Sequence, residues 1–305
     1  MRLAILMSTY NGEKYIQAQI ESILQQSIDM PFDLIVRDDG STDNTVQILE
    51  SYREKGLLTY YTGENLGAAK GFIHLLRHNT GYDFYAYADQ DDVWNPGKLR
   101  KGLEAVANAA GPALYCTNAE LVDSQLQSLG RNTHRERPTY NLVSILCLAS
   151  CAQGCTSVFN QALAQVIQSH DVPDVFIMHD SLLTCLCALI GGTIIYDHEP
   201  SMKYRMHGSN VFGMVTAKQS LSRVIKSRWK EITTKPKVSM YDQASNLLNT
   251  YADAVLQENR AVCTTVIRSK HSLGARFRLV FDKNLKHDTL NKTVTKKLQI
   301  LLGND

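Results

Sequence analysis

Residues 85–94 read Tyr-Ala-Tyr-Ala-Asp-Gln-Asp-Asp-Val-Trp, an apolar run that stops in three carboxylates within four residues. Like charges that close together repel, so a fold that gathers Asp89, Asp91 and Asp92 at one spot needs a counter-charge there. A hard divalent cation, Mg²⁺ or Mn²⁺, takes oxygen ligands and shares them with substrate phosphates. A solvated acidic turn is the competing reading. Placement after a buried-looking strand favours a site, because ligand crevices in α/β sheets lie beyond the carboxyl ends of the strands. Asn95 suits a helix N-cap and Pro96 a first helical position, so the spacing predicts a helix at once after Trp94.

Two earlier stretches repeat the pattern. Leu3 to Met7 is apolar and ends in Ser8-Thr9-Tyr10-Asn11-Gly12. Asp33 to Arg37 ends in Asp38-Asp39-Gly40-Ser41-Thr42-Asp43. Between them Ile16, Ile20, Ile23 and Leu24 recur at helical spacing, and Val46, Ile48 and Leu49 follow the second loop, which Ser41, Thr42 or Asp43 can cap. Leu57 to Tyr61 reads as a third strand, Ala68 to His78 as a helix with Phe72, Leu75 and Leu76 inward, and Phe84 to Ala88 as a fourth strand. Alternating strand and helix implies an α/β fold: a mostly parallel, Rossmann-like sheet with helices on both faces. The sequence contains no G-x-G-x-x-G and no G-x-x-x-x-G-K-[ST], which argues against a dinucleotide site or a P-loop. A nucleotide held by side-chain oxygens and a cation fits better.

Composition adds one asymmetry. Net charge over the 305 residues is +2, but residues 1–214 carry 15 Lys and Arg against 23 Asp and Glu, and residues 215–305 carry 17 against 7. The first part is no nucleic-acid binder by bulk electrostatics; the second suits an anionic surface. Seven cysteines without a C-x-x-C read as small buried thiols in a reducing cytosol, zinc being the alternative for Cys147, Cys151 and Cys155. The chain begins directly on a strand with no signal peptide, and its longest apolar run, Leu182 to Ile195, is too short to span a bilayer.

Met7-Ser8-Thr9-Tyr10-Asn11-Gly12, the turn from Asp38 to Asp43, Asn65-Leu66-Gly67 and Asp89-Gln90-Asp91-Asp92-Val93-Trp94 occur in that order. Together they resemble the family 2 inverting glycosyltransferases with the A-type nucleotide-diphospho-sugar transferase fold. Gly154-Cys155-Thr156, His179-Asp180 and Tyr204 to Asn210 resemble most the rhamnosyltransferase-like branch, which builds bacterial surface polysaccharides such as O-antigen or capsule. The resemblance covers residues 1–214. It implies that Ser8, Tyr10 and Asp39 contact the nucleotide, with Thr9, Asp38, Gly67, Asp89 and Gln90 in the same loops. It implies that Asp89 and Asp91 are the D-x-D pair, with His207 as third ligand of Mn²⁺ or Mg²⁺, and that Asp180 is the catalytic base. Asp92, Trp94, Gly154, Cys155, His179 and Arg205 then stand on the acceptor or donor-sugar side. Two departures stand out: His179 precedes Asp180 where the family has Glu, and Gly71 replaces a larger polar residue. The implied partners are a UDP- or dTDP-sugar and a glycan acceptor on a lipid carrier, at the inner face of the cytoplasmic membrane.

The later text is less regular. Leu114 to Thr117 reads as a strand, Ser124 to Thr139 as a long polar loop with Arg131, Arg135 and Arg137 over the site, and Asn141 to Leu148 as a helix. Gln153 to Phe159 reads as a strand whose Gly154 lets a ligand approach, and Thr193 to Tyr196 as an edge strand. For Asp180 alone, an N-cap on the helix that follows is the plainer role, and for His207, surface hydrogen bonding. Residues 215–305 read as a basic helical appendage. Leu221, Val224, Ile225 and Trp229 interleave with Arg223, Lys226, Arg228 and Lys230, and Leu273, Phe277 and Phe281 mix with Arg276 and Arg278. Such helices fit a membrane surface, or packing on the catalytic domain or another subunit. A sugar nucleotidyltransferase and a catalytically silent nucleotide-sugar or membrane-binding module are the other classes open to the sequence.

Overall fold

The computed structural model describes residues 1–148, 152–207 and 238–304. β1 (Leu3–Thr9), α1 (Ile16–Leu24), β2 (Phe32–Asp38), α2 (Thr45–Arg53), β3 (Thr59–Thr62), α3 (Gly67–His78) and β4 (Phe84–Asp89) alternate as expected. The strands pair in parallel in the order β3-β2-β1-β4. The chain steps outward from β1 to β3 and returns past β1 to β4, so strand order reverses beside β1. Ser8 lies in register with both Arg37 and Asp89. The three oxygen-rich loops therefore leave one edge of the sheet together.

Period-two alternation assigns the faces. Leu3, Ile5 and Met7 of β1 pack with Ile16, Ile20 and Ile23 of α1 and Leu49 of α2. Ala4 and Leu6 face the other way, toward Phe72, Leu75 and Leu76 of α3. Asp43 Oδ1 accepts the Thr45 N–H at 3.0 Å, satisfying an orphan donor at the start of α2.

The second half departs from expectation in several places. It comprises β5 (Val93–Trp94), α4 (Lys98–Ala107), β6 (Ala113–Val122), β7 (Ser128–Asn132), α5 (Leu142–Leu146), β8 (Val158–Asn160), α6 (Gln161–Ser169), α7 (His179–Leu189) and β9 (Thr193–Arg205). Asn95 and Pro96 do not open a helix: Gly97 sits at φ +83°, and α4 begins only after it. The polar stretch from Ser124 to Thr139 is not all loop, because Asp123 accepts the Gln125 and Gln127 N–H groups and turns the chain back as β7. Gln153 to Phe159 is not one strand. Thr156 and Ser157 close a 3₁₀ turn on the Gln153 and Gly154 carbonyls, which leaves only Val158–Asn160 extended. Thr193 to Tyr196 pairs with β6 alone and so lies at an edge as expected, but it only begins the 13-residue β9, whose Met202 and Lys203 are flanked on the other side by β5. The sheet runs β3-β2-β1-β4-β8-β6-β9-β5 and is mixed, since β8 is antiparallel to β4 and β6.

α8 (Met240–Thr250), α9 (Gln257–Ser269), α10 (Leu273–Val280) and α11 (Leu290–Leu302) close the described chain. Tyr241, Leu247, Cys263, Val266, Leu279 and Ile300 belong to the same buried cluster as Leu182, Leu183 and Leu186 of α7. Gln243 Oε1 accepts the Ile177 N–H at 3.0 Å, and the Asn284 carbonyl accepts from Asn141 Nδ2 at 2.8 Å and from Ser144 Oγ at 2.6 Å. These helices thus complete the face of the sheet that carries α3 and α7. The basic stretch from Leu221 to Lys230, and Gly208 to Asn210, lie outside the described residues. The six described cysteines are all buried free thiols.

Candidate active site

The site begins where β1 and β4 end. Gln90 stitches the two loops, its Oε1 accepting from Thr9 Oγ1 and from the Tyr10 N–H at 3.0 Å while its Nε2 donates to the Tyr10 carbonyl at 3.1 Å. Tyr10 itself stands exposed at the mouth. Ser8 lies beside α3: a Cβ at Gly71 would come within 2.8 Å of Ser8 Oγ, so the larger residue expected there has no room. Asp38 and Asp39 divide their work. Asp38 accepts the Gly40 and Ser41 N–H groups at 3.2 and 3.0 Å and so holds the turn. Asp39 is buried, ion-paired with the buried Arg37, and accepts the Gly67 N–H at 2.7 Å. Sequence reading did not single out Arg37, because a basic residue in a strand gives no sign of facing an acid two positions on.

The three acids after β4 do not share one environment. Asp89 and Asp91 retain some exposure, whereas Asp92 is 1% exposed and accepts the Arg205 N–H on Oδ1 at 3.2 Å. An oxygen of Asp89, an oxygen of Asp92 and Cys155 Sγ lie within 4.8 Å of one another. Removal from water, then the charges of Asp91 and Asp180, push Asp89 up to about 7. Burial first, and Asp91 and Asp89 after it, carry Asp92 well above the usual carboxylate range. The Cys155 thiol is also pushed well up by burial and these acids. Asp91 instead meets His207, whose Nε2 lies 2.7 Å from Asp91 Oδ2 and whose ring lies 5.0 Å from Tyr15. The crowded carboxylates are oxygen donors of the kind that Mn²⁺ or Mg²⁺ takes.

Arg205 and Lys98 brace this loop from within. Arg205 Nε donates to the Asp91 carbonyl at 2.7 Å and its Nη1 to the Ser124 carbonyl at 2.8 Å, with the guanidinium over Tyr15 at 4.4 Å. Lys98, 1% exposed, holds its ammonium 4.1 Å over the Trp94 ring, and burial pushes it down to about 8 against the pull of Cys155 and Asp92. A lysine in the first turn of a helix is ordinarily solvated, so no sequence signal marks it.

Asp180 comes from the far side, on the first turn of α7. Its Oδ2 accepts the Gly154 N–H at 3.2 Å and its Oδ1 the Ser181 N–H at 2.7 Å. Its charge contributes to the upward shift of Asp89. Several residues expected beside a sugar are not on the cleft surface. Trp94 and Cys155 are buried in the core behind the acids, and Arg205 is covered as well. His179 is also buried, stacked on Phe72 at 4.1 Å, and a Cβ at Gly154 would fall 2.3 Å from its Nε2. Gly154 makes room for His179, not for a ligand. This also accounts for histidine before Asp180: the position is an apolar, stacked one.

A family model described as Glycosyl transferase family 2 matches residues 4–166. The dTDP-rhamnosyl transferase RfbG of Shigella flexneri is 26% identical over 250 residues, 74% of this chain and 82% of that protein. The UDP-Glc:alpha-D-GlcNAc-diphosphoundecaprenol beta-1,3-glucosyltransferase WfgD of Escherichia coli is 31% identical over 159 residues, 51% of this chain and 58% of that protein. Among solved structures, S. aureus TarS 1-349 in complex with UDP matches with a TM-score of 0.57 at 18% identity, over 99% of this chain and 89% of that one. That last likeness is one of fold.

Proposed function

The chain belongs to glycosyl transferase family 2, and from that premise we propose that it is an inverting, divalent-cation-assisted transferase. It moves a sugar, rhamnose or a related hexose, from a dTDP or UDP donor to a hydroxyl of a growing bacterial surface glycan. The observation that carries this reading is the acidic loop at the edge where β1, β2 and β4 end. In it Asp91 Oδ2 lies 2.7 Å from His207 Nε2 and an oxygen of Asp89 lies within 4.8 Å of one of Asp92, with Asp180 hydrogen-bonded to the Gly154 N–H beside Cys155 of the same cluster. The loops of Ser8 to Tyr10 and of Asp39 and Gly67 receive the nucleotide. Asp89, Asp91 and His207 hold Mn²⁺ or Mg²⁺, which when bound neutralises charge on the departing diphosphate. Asp180, oriented by two backbone N–H groups, accepts the proton of the attacking hydroxyl. A carboxylate fixed this way keeps one lone pair aimed without side-chain rearrangement. The relatives' printed activities, dTDP-rhamnosyl transfer and UDP-glucosyl transfer onto a diphosphoundecaprenol-linked sugar, support both the donor class and an acceptor on a lipid diphosphate.

The enzyme works in this reading as a peripheral protein on the inner face of the cytoplasmic membrane. No helix among the described residues is long and apolar enough to cross a bilayer. The test is transfer from radiolabelled dTDP-rhamnose, UDP-glucose and UDP-GlcNAc to lipid-linked acceptors, with Mn²⁺ and with EDTA. Product with one donor that vanishes in EDTA is expected. Full activity in EDTA would remove the cation from the reading, and synthesis of a nucleotide-sugar from sugar phosphate would replace transfer with nucleotidyl chemistry.

A further inference from the structure

A groove of about 470 Å³ runs along the outer face of α3, away from the acids. Leu66 at the start of α3 stands at its upper end, beside Gly67 and hence Asp39, and Gln168 closes it lower down by donating to the Leu76 carbonyl at 2.9 Å. Its floor is apolar: Ile73, Val172 and Pro173. Its rim is cationic, with Lys70 and Arg77 on one face of the helix. Seven residues of α-helix separate them by about 10 Å. Among the described residues neither makes a hydrogen bond or ion pair with the protein, although the Arg77 charge also acts on the phenol of Tyr251. His74 and His78 stack between them, their rings 3.9 Å apart, and Asp174 is the one acid on the lining. The segment carrying Val172 to Asp174 leads directly into α7 and Asp180.

We propose that this groove seats the phosphate-bearing end of a lipid-linked glycan acceptor, Lys70 and Arg77 binding a diphosphate and the apolar floor taking the first part of the lipid. The inference rests on the transferase reading and adds what recognises the acceptor. A basic rim over an apolar floor is what an amphiphilic diphosphate needs, whereas a free nucleotide would leave the floor unused. The donor diphosphate is not the occupant, since its place is at the acids on the other side of Ser8. Paired with Asp180 by one continuous segment, a seated acceptor would have its sugar end directed to the base.

The full chain is titrated calorimetrically, in EDTA, with farnesyl diphosphate, inorganic pyrophosphate and farnesol. Farnesyl diphosphate should bind at least tenfold more tightly than either of the others, and Lys70→Gln/Arg77→Gln should abolish that advantage with an unchanged melting temperature. Affinity for UDP or dTDP with Mn²⁺ serves as the separate readout of the donor site. Pyrophosphate binding as tightly as farnesyl diphosphate would make this a site for soluble phosphate esters and overturn the lipid assignment. Farnesol binding equally well would overturn the role of the charges. Farnesyl diphosphate that binds the double variant as well as the parent, or binds neither, would overturn the groove. Should the variant lose its fold, Lys70→Glu alone carries the same comparison. Loss of nucleotide binding with farnesyl diphosphate binding intact would instead strike the donor reading.

Discussion

A carboxylate's role here is set by which side of the backbone it leaves. In the stretch from Asp89 to Trp94, Asp89 and Asp91 reach toward the cleft while Asp92 and Trp94 turn into the core. The sequence spells all of them alike, so the motif was legible and the orientation of its members was not. The same holds for His179 and Arg205, read as sugar-facing and found buried. In the proposed mechanism Asp180 is the residue whose placement the turnover depends on. Asp180→Asn keeps the size and can accept from only one of Gly154 and Ser181, and it cannot take a proton, so turnover should fall by about 10²–10⁴ with donor affinity unchanged. Calorimetric donor binding beside product formation checks it; near-normal transfer would remove Asp180 from the mechanism. Asp89 supplies a second expectation. Its folded-state value near 7 lies above its unfolded value, so the cation-free fold binds the extra proton and loses stability as pH rises from about 4 to about 7. Mn²⁺ should stabilise the protein little at pH 5 and strongly at pH 8 by thermal shift. A pH-independent Mn²⁺ shift would show that Asp89 does not titrate with the cation.

Elements were legible where hydrophobic period and loop chemistry agreed. The strands from β1 to β4 and the helices between them follow from apolar runs that end in Gly, Asn and Asp. After Trp94 the signals conflict. Asn95-Pro96 satisfies the helix-start rule, yet the left-handed Gly97 defers the helix. β8 has only three residues, too few for a period, and the 3₁₀ turn before it keeps Gly154 buried against His179. That contact makes a testable claim. Gly154→Ala places a methyl 2.3 Å from the His179 ring, which is hemmed in by Phe72 and Tyr87 and cannot withdraw freely. The variant should lose about 1–3 kcal/mol in urea unfolding. Gly154→Ala with His179→Ala should recover part of the loss; equal stability of Gly154→Ala and the parent would mean that the turn relaxes at no cost.

At the scale of the whole molecule, charge and apolar surface converge at the C-terminal end. Leu273, Phe277 and Phe281 follow one another at intervals of four and are exposed, as are Leu290, Val294, Leu298 and Leu302. That spacing puts each set on one side of its helix, opposite Leu279 and Ile300, which face the shared core. Arg276 is not part of the outer charge, since it donates to the Ser269, Lys270 and Leu301 carbonyls and ties α10 to its neighbours. Arg278, Lys283, Lys296 and Lys297 are basic residues that accompany the apolar rows, whereas Lys292 is ion-paired with Asp288. An anionic bilayer would take both features: apolar side chains enter the interface, and each Lys or Arg near the surface contributes about 1 kcal/mol, screened by salt. A chain ending at residue 237 is the wrong probe, because removing α8 to α11 uncovers Leu182, Leu183 and Leu186. Phe277→Ser/Phe281→Ser leaves that core intact. The parent should co-sediment with vesicles containing anionic lipid and not with neutral ones, and weaken from 50 to 500 mM salt, about a threefold shorter Debye length. The double variant should bind at least tenfold more weakly at equal melting temperature. Equal sedimentation of parent and double variant would put the contact elsewhere, and concentration-dependent self-association that the double variant abolishes would assign these rows to a second copy of the chain.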